Sequence, residues 1–545
     1  MQERALAADN RKGQYTAGGA FFSGTAVIFT VLVLWTLCLL GPALPVQASG
    51  AADQKISIDS VRLDGDEIEV TTKGMAYTDD AVFRLYAQEP YESGTQGEEV
   101  AQTTPLEGVS FEVPLNNNTK DSLLYKKFTL VIKVNGKLKQ TGSTLYIENP
   151  EEIAEHTVER KEIGKKGILP APELLASNSL ADLGVDQIVY NVPLGTLMKN
   201  GDKAFTYDGK TYYVNSKILA QYDAIVPFMS IQGIRTTLIL LNDLTSDETM
   251  IYPTARGYDG AYYYAFNAAD KDGADTLAAI TWFLADRYSD GVYGTVDNWI
   301  IGNEVNTREW YYDGSDSDVT TKIRRYADAF RICYNAIRSV NGKAKVYISL
   351  DHQYAENNAS SGYFGSRTFL IGFAQQMKAQ GDGHWGVAIH PYNSKMTSPY
   401  VWKKDAKVKK SQTSPYITMQ NISILTDLMQ RADMREPDGD VRSVLISEIG
   451  YTSTYGEAVQ AAAIIYAYRQ AENNPYIDGF LYSRQMDHAT ETAQGLASGL
   501  TTEGGTNKKS YSFYKNADSA SIRKKAAAII GVSDLDTFLK EGGSK

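Results

Sequence analysis

Cysteine is almost missing from this chain: Cys38 and Cys333 are the two among 545 residues. Cys38 falls inside an N-terminal apolar stretch, so removal of that stretch would leave Cys333 alone and exclude an internal disulfide. Stability must then come from packing. Histidine is also scarce, at five residues, and no His-x-His or His-Glu-x-x-His spacing marks a metal centre. An excess of positive charge is lacking too. The formal charge of −11 argues against a nucleic-acid footprint, which would need a basic stripe.

What is present begins with an address. Arg4, Arg11 and Lys12 precede an apolar stretch from Ala26 to Leu40, followed by Gly41-Pro42 and the small-residue site Val46-Gln47-Ala48. This is the pattern of a signal peptide, 1–48, cleaved after Ala48. An uncleaved anchor is the alternative, because the stretch is near the lower length limit for crossing a bilayer. Either way the bulk of the chain is expected outside the cytoplasm, secreted or attached to the cell surface. Leu37 before Cys38 is not the small residue that a lipidation site requires.

The length accommodates a barrel of roughly 250 to 400 residues and a smaller module. Residues 55–148 alternate apolar and polar positions, with hairpin signals at Asp64-Gly65 and Val134-Asn135-Gly136-Lys137, and are expected to form a small Ig-like β-sandwich. The charged segment 149–169 reads as a linker. From 170 to 545 strands and helices alternate, the mark of βαβ units. The predicted strands are Gln187 to Val192, Arg235 to Leu241, Tyr262 to Asn267, Trp299 to Glu304, Lys345 to Leu350, Trp385 to Pro391, Ser443 to Glu448 and Gly479 to Ser483. Eight such strands close an α/β barrel of the (β/α)8 (TIM) type. The strongest helical patterns lie at 217–231, 275–288, 319–340, 367–379, 418–432 and 458–472. Asp208-Gly209 suggests a hairpin inserted in the first βα loop, and 518–540 a helical tail. A doubly wound open sheet is the alternative, but no Gly-rich phosphate fingerprint follows its first strand.

Two of these strands end in a carboxylate, at Glu304 and Glu448. Reacting groups of such barrels sit at the carboxyl ends of the strands, so as strands four and seven these two would face each other across one pocket. The segments Ile301-Gly302-Asn303-Glu304-Val305-Asn306, Ile389-His390-Pro391-Tyr392 and Ile446-Ser447-Glu448-Ile449-Gly450-Tyr451 resemble the clan A glycoside hydrolases, over the barrel but not the N-terminal module. The resemblance implies a retaining glycosidase with Glu304 as acid/base, Glu448 as nucleophile, Asn303 bonding a sugar hydroxyl and Tyr392 orienting Glu448. It implies a carbohydrate substrate and calls for no cofactor or metal.

Around this pair, Trp310 is the best candidate for stacking on a sugar, ahead of Trp385, Trp402 and Tyr354. The 36 tyrosines suit sugar faces and β-structure alike. His352, His390 and His488 follow or end strands five, six and eight and are candidate sugar ligands, with a three-His zinc hydrolase as the lesser reading. Asp351 is a substrate ligand or a loop salt bridge. Members of the clan usually carry a Trp near the end of strand eight; here Tyr482 stands in part for it. Arg484 adds charge that selects an acidic or sulfated sugar, or else pairs with Asp487 or a catalytic carboxylate. The N-terminal module is expected to attach the enzyme to cell wall or polysaccharide. A noncatalytic carbohydrate-binding or envelope protein on a degenerate barrel is the alternative function.

Overall fold

The computed structural model describes residues 56–545 apart from 105–108, 158, 176, 246, 290, 315–317 and 358–361. The signal segment expected at 1–48 lies outside the described residues. Among those described, no helix is long and apolar enough to cross a membrane.

The first seven strands are β1 (Ser57–Asp64), β2 (Glu67–Lys73), β3 (Phe83–Gln88), β4 (Glu98–Thr103), β5 (Ser110–Pro114), β6 (Lys127–Val134) and β7 (Lys137–Tyr146). Buried and exposed residues alternate along β2 and β5, which is the period-two signature of a sheet with one dry face. The strands form two sheets, ordered β1-β2-β5 and β4-β3-β6-β7. Ile68 and Phe111 from one sheet and Leu85 and Leu130 from the other share a single core, so the sheets are packed face to face as a sandwich. Asn135 and Gly136 between β6 and β7 both have positive φ, 53° and 72°, as a type I′ hairpin turn demands.

The barrel consists of β8 (Lys166–Ile168), β9 (Gln187–Pro193), β12 (Arg235–Leu241), β13 (Asn298–Ile301), β14 (Lys345–Leu350), β15 (Trp385–Ile389), β16 (Val444–Ile449) and β17 (Ile477–Tyr482). The hairpin β10 (Lys203–Tyr207) and β11 (Lys210–Val214) stands between β9 and β12. All barrel neighbours are parallel, and closure runs through Leu481 beside Gly167 and Ile168 beside Ile188. Val189, Ile239, Ile300, Tyr347, Ala388, Leu445 and Leu481 fill the interior. Adjacent residues such as Ile188, Ile301, Ile446 and Tyr482 point outward into the core shared with the helices. Asn215, Asp270 and Asp318 begin three of those helices by accepting backbone N–H bonds with their side chains, which satisfies donors that a helix start leaves unpaired.

Four expectations need correction. The first barrel strand is Lys166–Ile168, inside the segment read as a linker; three residues, one of them glycine and one lysine, are too few to display a strand period. Tyr262 to Asn267 is not a barrel strand. Its backbone makes isolated bridges, Phe266 with Ile251 and Tyr264 with Tyr312, in an ordered loop over the barrel mouth. The hairpin at Asp208-Gly209 consequently belongs to the second βα loop. One strand missed and one added leave strands four to eight with the predicted numbers. The helix expected at 418–432 is confined to Ser423–Met429.

Candidate active site

Strand β13 stops at Ile301 because the chain turns sharply there. Gly302 has φ of 77°, and a Cβ on it would lie 2.8 Å from Val305 Cγ1 and 3.0 Å from the Tyr311 ring. Two residues on, Glu304 itself has φ of 39°, a left-handed conformation that costs a non-glycine residue energy and recurs at functional sites. The turn is held at both ends. Glu304 N–H donates to Ser349 Oγ on β14 at 3.2 Å, and Thr307 donates to the Glu304 carbonyl through both its N–H and its hydroxyl.

Glu448 is aimed by a different device. Ile446 and Ile449 both belong to the outward-facing core, although three steps along a regular strand should bring opposite faces. The pairing of β16 with β17 is irregular between them, and such a bulge re-aims a side chain. Gly450 follows, where a Cβ would stand 2.4 Å from the Ser483 carbonyl oxygen. The two strands therefore close in just beyond the carboxylate.

His390 and Tyr392, after β15, connect the two acids. His390 Nδ1 lies 2.8 Å from Glu304 Oε1 and 4.0 Å from Glu448 Oε2, while Tyr392 donates its hydroxyl to Glu448 Oε1 at 2.7 Å. Both carboxylate oxygens are measured from one nitrogen, so they are at most about 7 Å apart, against roughly 5–5.5 Å between carboxyl groups in retaining and 6.5–9.5 Å in inverting glycosidases. His390 is 1% exposed, Glu304 16% and Glu448 36% at their side chains, so the pair opens to solvent through the carboxylates alone. Burial pulls the His390 pKa down, but the charges of Glu448 and Glu304 outweigh it and the net direction is up. The Nδ1 to Oε1 contact can thus hold a proton beside Glu304.

Asp351 lies beneath this pair and is neither a free ligand nor part of a salt bridge. It is buried, accepting from Asn306 Nδ2 at 2.7 Å and from Gln353 N and Nε2, each at 3.1 Å. Burial, then the charge of Glu304, pushes its carboxyl well above the usual range. His352 is packed edge-on against Tyr416 and Tyr392, and burial holds it down to about 4, hence neutral. Its Nδ1 is buried without a partner.

The remaining candidates divide. Asn303 is half-buried next to Glu304, and its amide makes no hydrogen bond among the described residues. Trp310 stacks on Tyr262 with ring centroids 4.4 Å apart and planes 14° apart, and Tyr262 is 64% exposed. Beside them Tyr263 packs over the barrel interior and feels the charge of Glu448; a run of tyrosines read as a strand concealed this wall of the mouth. Tyr482, expected as a sugar platform, is buried in the outer core and donates to the Ser498 carbonyl at 2.7 Å, because barrel parity sends Leu481 inward and Tyr482 outward. Trp385, Trp402 and Tyr354 are likewise core residues. Arg484 follows a cis peptide bond from Ser483 and pairs with Glu491, a residue not anticipated; Asp487 instead pairs with Lys508 at 2.6 Å. Glu491 senses Glu448 as well, which places the Arg484 pair near the mouth. His488 is exposed and precedes the short helix Ala489–Ala493.

His352, His390 and His488 do not form a metal-ligand set. The group of described residues with that geometry is His384, Glu436 and Asp438, and His384 precedes β15, at the opposite end of that strand from His390.

The model of one protein family matches residues 158–538, described as a family of unknown function, DUF5722. The chain belongs to DUF5722. No curated protein matches it. Among solved structures, this DUF5722 chain is similar to a family 39 glycoside hydrolase from the gut symbiont Bacteroides cellulosilyticus WH2, with 15% identity, a TM-score of 0.45, and 86% of this chain and 83% of that one covered. An exo-β-1,4-mannosidase from Opitutaceae bacterium strain TAV5 aligns with 16% identity and a TM-score of 0.40, over 67% of this chain and 59% of that one. A family 1 β-glucosidase from Thermotoga maritima gives 13% identity and a TM-score of 0.39, over 63% and 84%. Any chemistry assigned to this DUF5722 member rests on its own carboxylates.

Proposed function

We propose that this DUF5722 member is a retaining glycoside hydrolase acting on an extracellular oligo- or polysaccharide. The observation that carries the reading is the meeting of Glu304 and Glu448, delivered by two different strands, at His390 Nδ1, with at most about 7 Å between the two oxygens, a bound that admits direct attack on carbon. In the first step Glu448 bonds to the anomeric carbon as the glycosidic C–O bond breaks, and Glu304 gives its proton to the departing oxygen. In the second, Glu304 takes a proton from water, whose oxygen displaces Glu448 from the same carbon. The Tyr392 hydroxyl donates to Glu448 and fixes its carboxylate, and the His390 ring holds Glu304 in place from the other side. An extracellular site of action is supported by the basic and apolar N-terminal segment, and wall or polymer attachment is the role assigned to the sandwich in this reading.

The test is turnover of aryl glycosides by the purified full chain and two variants. Glu448→Ala is expected to abolish turnover with the fold intact, and external azide to restore reaction in part, giving a glycosyl azide of inverted configuration. Glu304→Gln is expected to slow substrates with poor leaving groups by roughly 10²- to 10⁴-fold, the usual worth of general acid catalysis, and to spare the first step on activated aryl glycosides. Full activity in Glu448→Ala would remove it from the mechanism. Sugar binding by the wild type with no turnover across the panel would favour the noncatalytic barrel.

A further inference from the structure

A cavity of about 320 Å³ lies between the sandwich and the barrel, within the roughly 300–1,000 Å³ typical of small-ligand sites. It shares no residue with the catalytic mouth. Its walls are the loops of the sandwich around Glu89 and Lys126, the tip of the β10–β11 hairpin and the start of the helix Lys271–Arg287.

Most ionised groups of this wall have partners. Lys126 pairs with Glu89, Lys271 with Asp275 and Lys210 with Asp272. Asp208 does not: its Oδ1 is buried without a hydrogen-bond partner, and it takes part in no ion pair among the described residues. Burial, then the charge of Asp275, pushes its carboxyl up to about 7, with Lys126 and Lys271 opposing. Leaving such a group unpaired opposes folding, and the turn does not require it. Asp208 and Gly209 have φ of 47° and 74°, close to the 53° and 72° that Asn135 and Gly136 adopt in the turn after β6, so an asparagine at 208 would make the same turn without a charge. The carboxylate is therefore surplus to the backbone. It faces a cavity lined by Tyr125, Tyr207 and Tyr212, whose other charges stand in pairs, Lys120 with the exposed Asp121 at 3.5 Å. With the paired charges balanced and the Asp208 carboxyl held partly protonated, that environment suits a neutral ligand rich in hydrogen-bonding groups, from which the carboxyl accepts and to which, when protonated, it donates.

We propose that this cavity is an accessory sugar-binding site, in which the carboxylate of Asp208 accepts a hydrogen bond from a hydroxyl of a neutral mono- or disaccharide set against Tyr125, Tyr207 and Tyr212. The site is independent of turnover at the barrel mouth, and its failure would leave the glycosidase reading untouched.

The experiment uses the full chain carrying Glu448→Ala, which removes turnover, with and without Asp208→Asn. Both proteins are titrated calorimetrically with glucose, galactose, mannose, xylose and cellobiose, and with glucuronate as an anionic arm and glucosamine as a cationic one. At least one neutral sugar is expected to bind, with affinity falling about tenfold or more in Asp208→Asn, the worth of a hydrogen bond to a charged group. Because the substitution keeps the turn and removes a buried unpaired charge, Tm is expected to hold or rise. Equal affinities in the two proteins, no binding of any neutral sugar, stronger Asp208-dependent binding of glucuronate or glucosamine, or a fall in Tm would each overturn the proposal. Asp208→Asn alone is expected to keep full activity on aryl glycosides, which separates this site from the catalytic one.

Discussion

At the scale of single residues, the Tyr392 hydroxyl is the most testable contact in the mouth. Its 2.7 Å bond to Glu448 is charge-assisted, worth about 1.5–3 kcal/mol, so Tyr392→Phe is expected to lower kcat by roughly 10- to 100-fold. The measurement is kcat against KM on one aryl glycoside; an unchanged kcat would mean that Glu448 needs no such support. Tyr482 calls for the opposite outcome. Its hydroxyl serves the buried Ser498 carbonyl, so Tyr482→Phe is expected to cost about 1–3 kcal/mol of stability while leaving KM alone. A raised KM at constant Tm would restore it to the sugar site. Sequence could not decide between these two tyrosines: Tyr392 lies in the loop after β15 and Tyr482 closes β17 with its side chain turned outward, and neither placement shows in the residue pattern.

Secondary-structure elements explain why some of the site was legible and some was not. Glu304 and Glu448 stood out because each closes an apolar run, and those runs are buried on both faces as parallel strands must be. The devices that aim them were silent: the left-handed Glu304 and the bulge between Ile446 and Ile449 leave no periodic trace. Strand β8 was missed because Lys166–Ile168 is shorter than any period, and the Tyr262 segment was taken for a strand because tyrosines favour strands and loops over a sugar site alike. The bulge sets up a prediction about β16. Adding a Cβ at Gly450, 2.4 Å from the Ser483 carbonyl, must push β16 and β17 apart next to Glu448. Gly450→Ala is expected to lose activity out of proportion to its Tm, read by comparing specific activity and melting point of the same preparation; a fall in Tm with normal kcat would mean that the strands yield without moving the carboxylate.

For the whole molecule, the question is how the sandwich and the barrel hold together. Lys166 pairs with the barrel's last strand, so a truncation beginning at Gly167 would damage the closure of the barrel itself rather than remove an accessory. The two modules also share polar contacts: Asn335 Nδ2 donates to the Leu124 carbonyl at 2.8 Å, and Tyr146 N–H to that of Gln380 at 3.0 Å. At the centre of this interface Asp328, on the barrel helix Val319–Arg338, faces Tyr146 and Lys127 of the sandwich and Arg324 and Arg331 of its own helix. Burial pushes its carboxyl up to about 6, although Lys127, Arg324, the Tyr146 hydroxyl and Arg331 all oppose the shift. The folded state therefore binds this proton more tightly than the unfolded chain, where an aspartate titrates near 3.9. Stability contributed by the neutral form is complete below the unfolded value, falls as pH rises through the interval, and is gone above about 6. Asp328→Asn keeps an acceptor for Tyr146 and cannot ionise, so it is expected to raise Tm at pH 7.5 and to leave it nearly unchanged at pH 4. The gain has an upper bound of about 3 kcal/mol, two pKa units of differential binding. Thermal melts of both proteins at the two pH values decide the matter: an equal shift at pH 4 and pH 7.5, or a loss at pH 7.5, would mean that the Asp328 charge is compensated at the junction and that the interface is indifferent to pH.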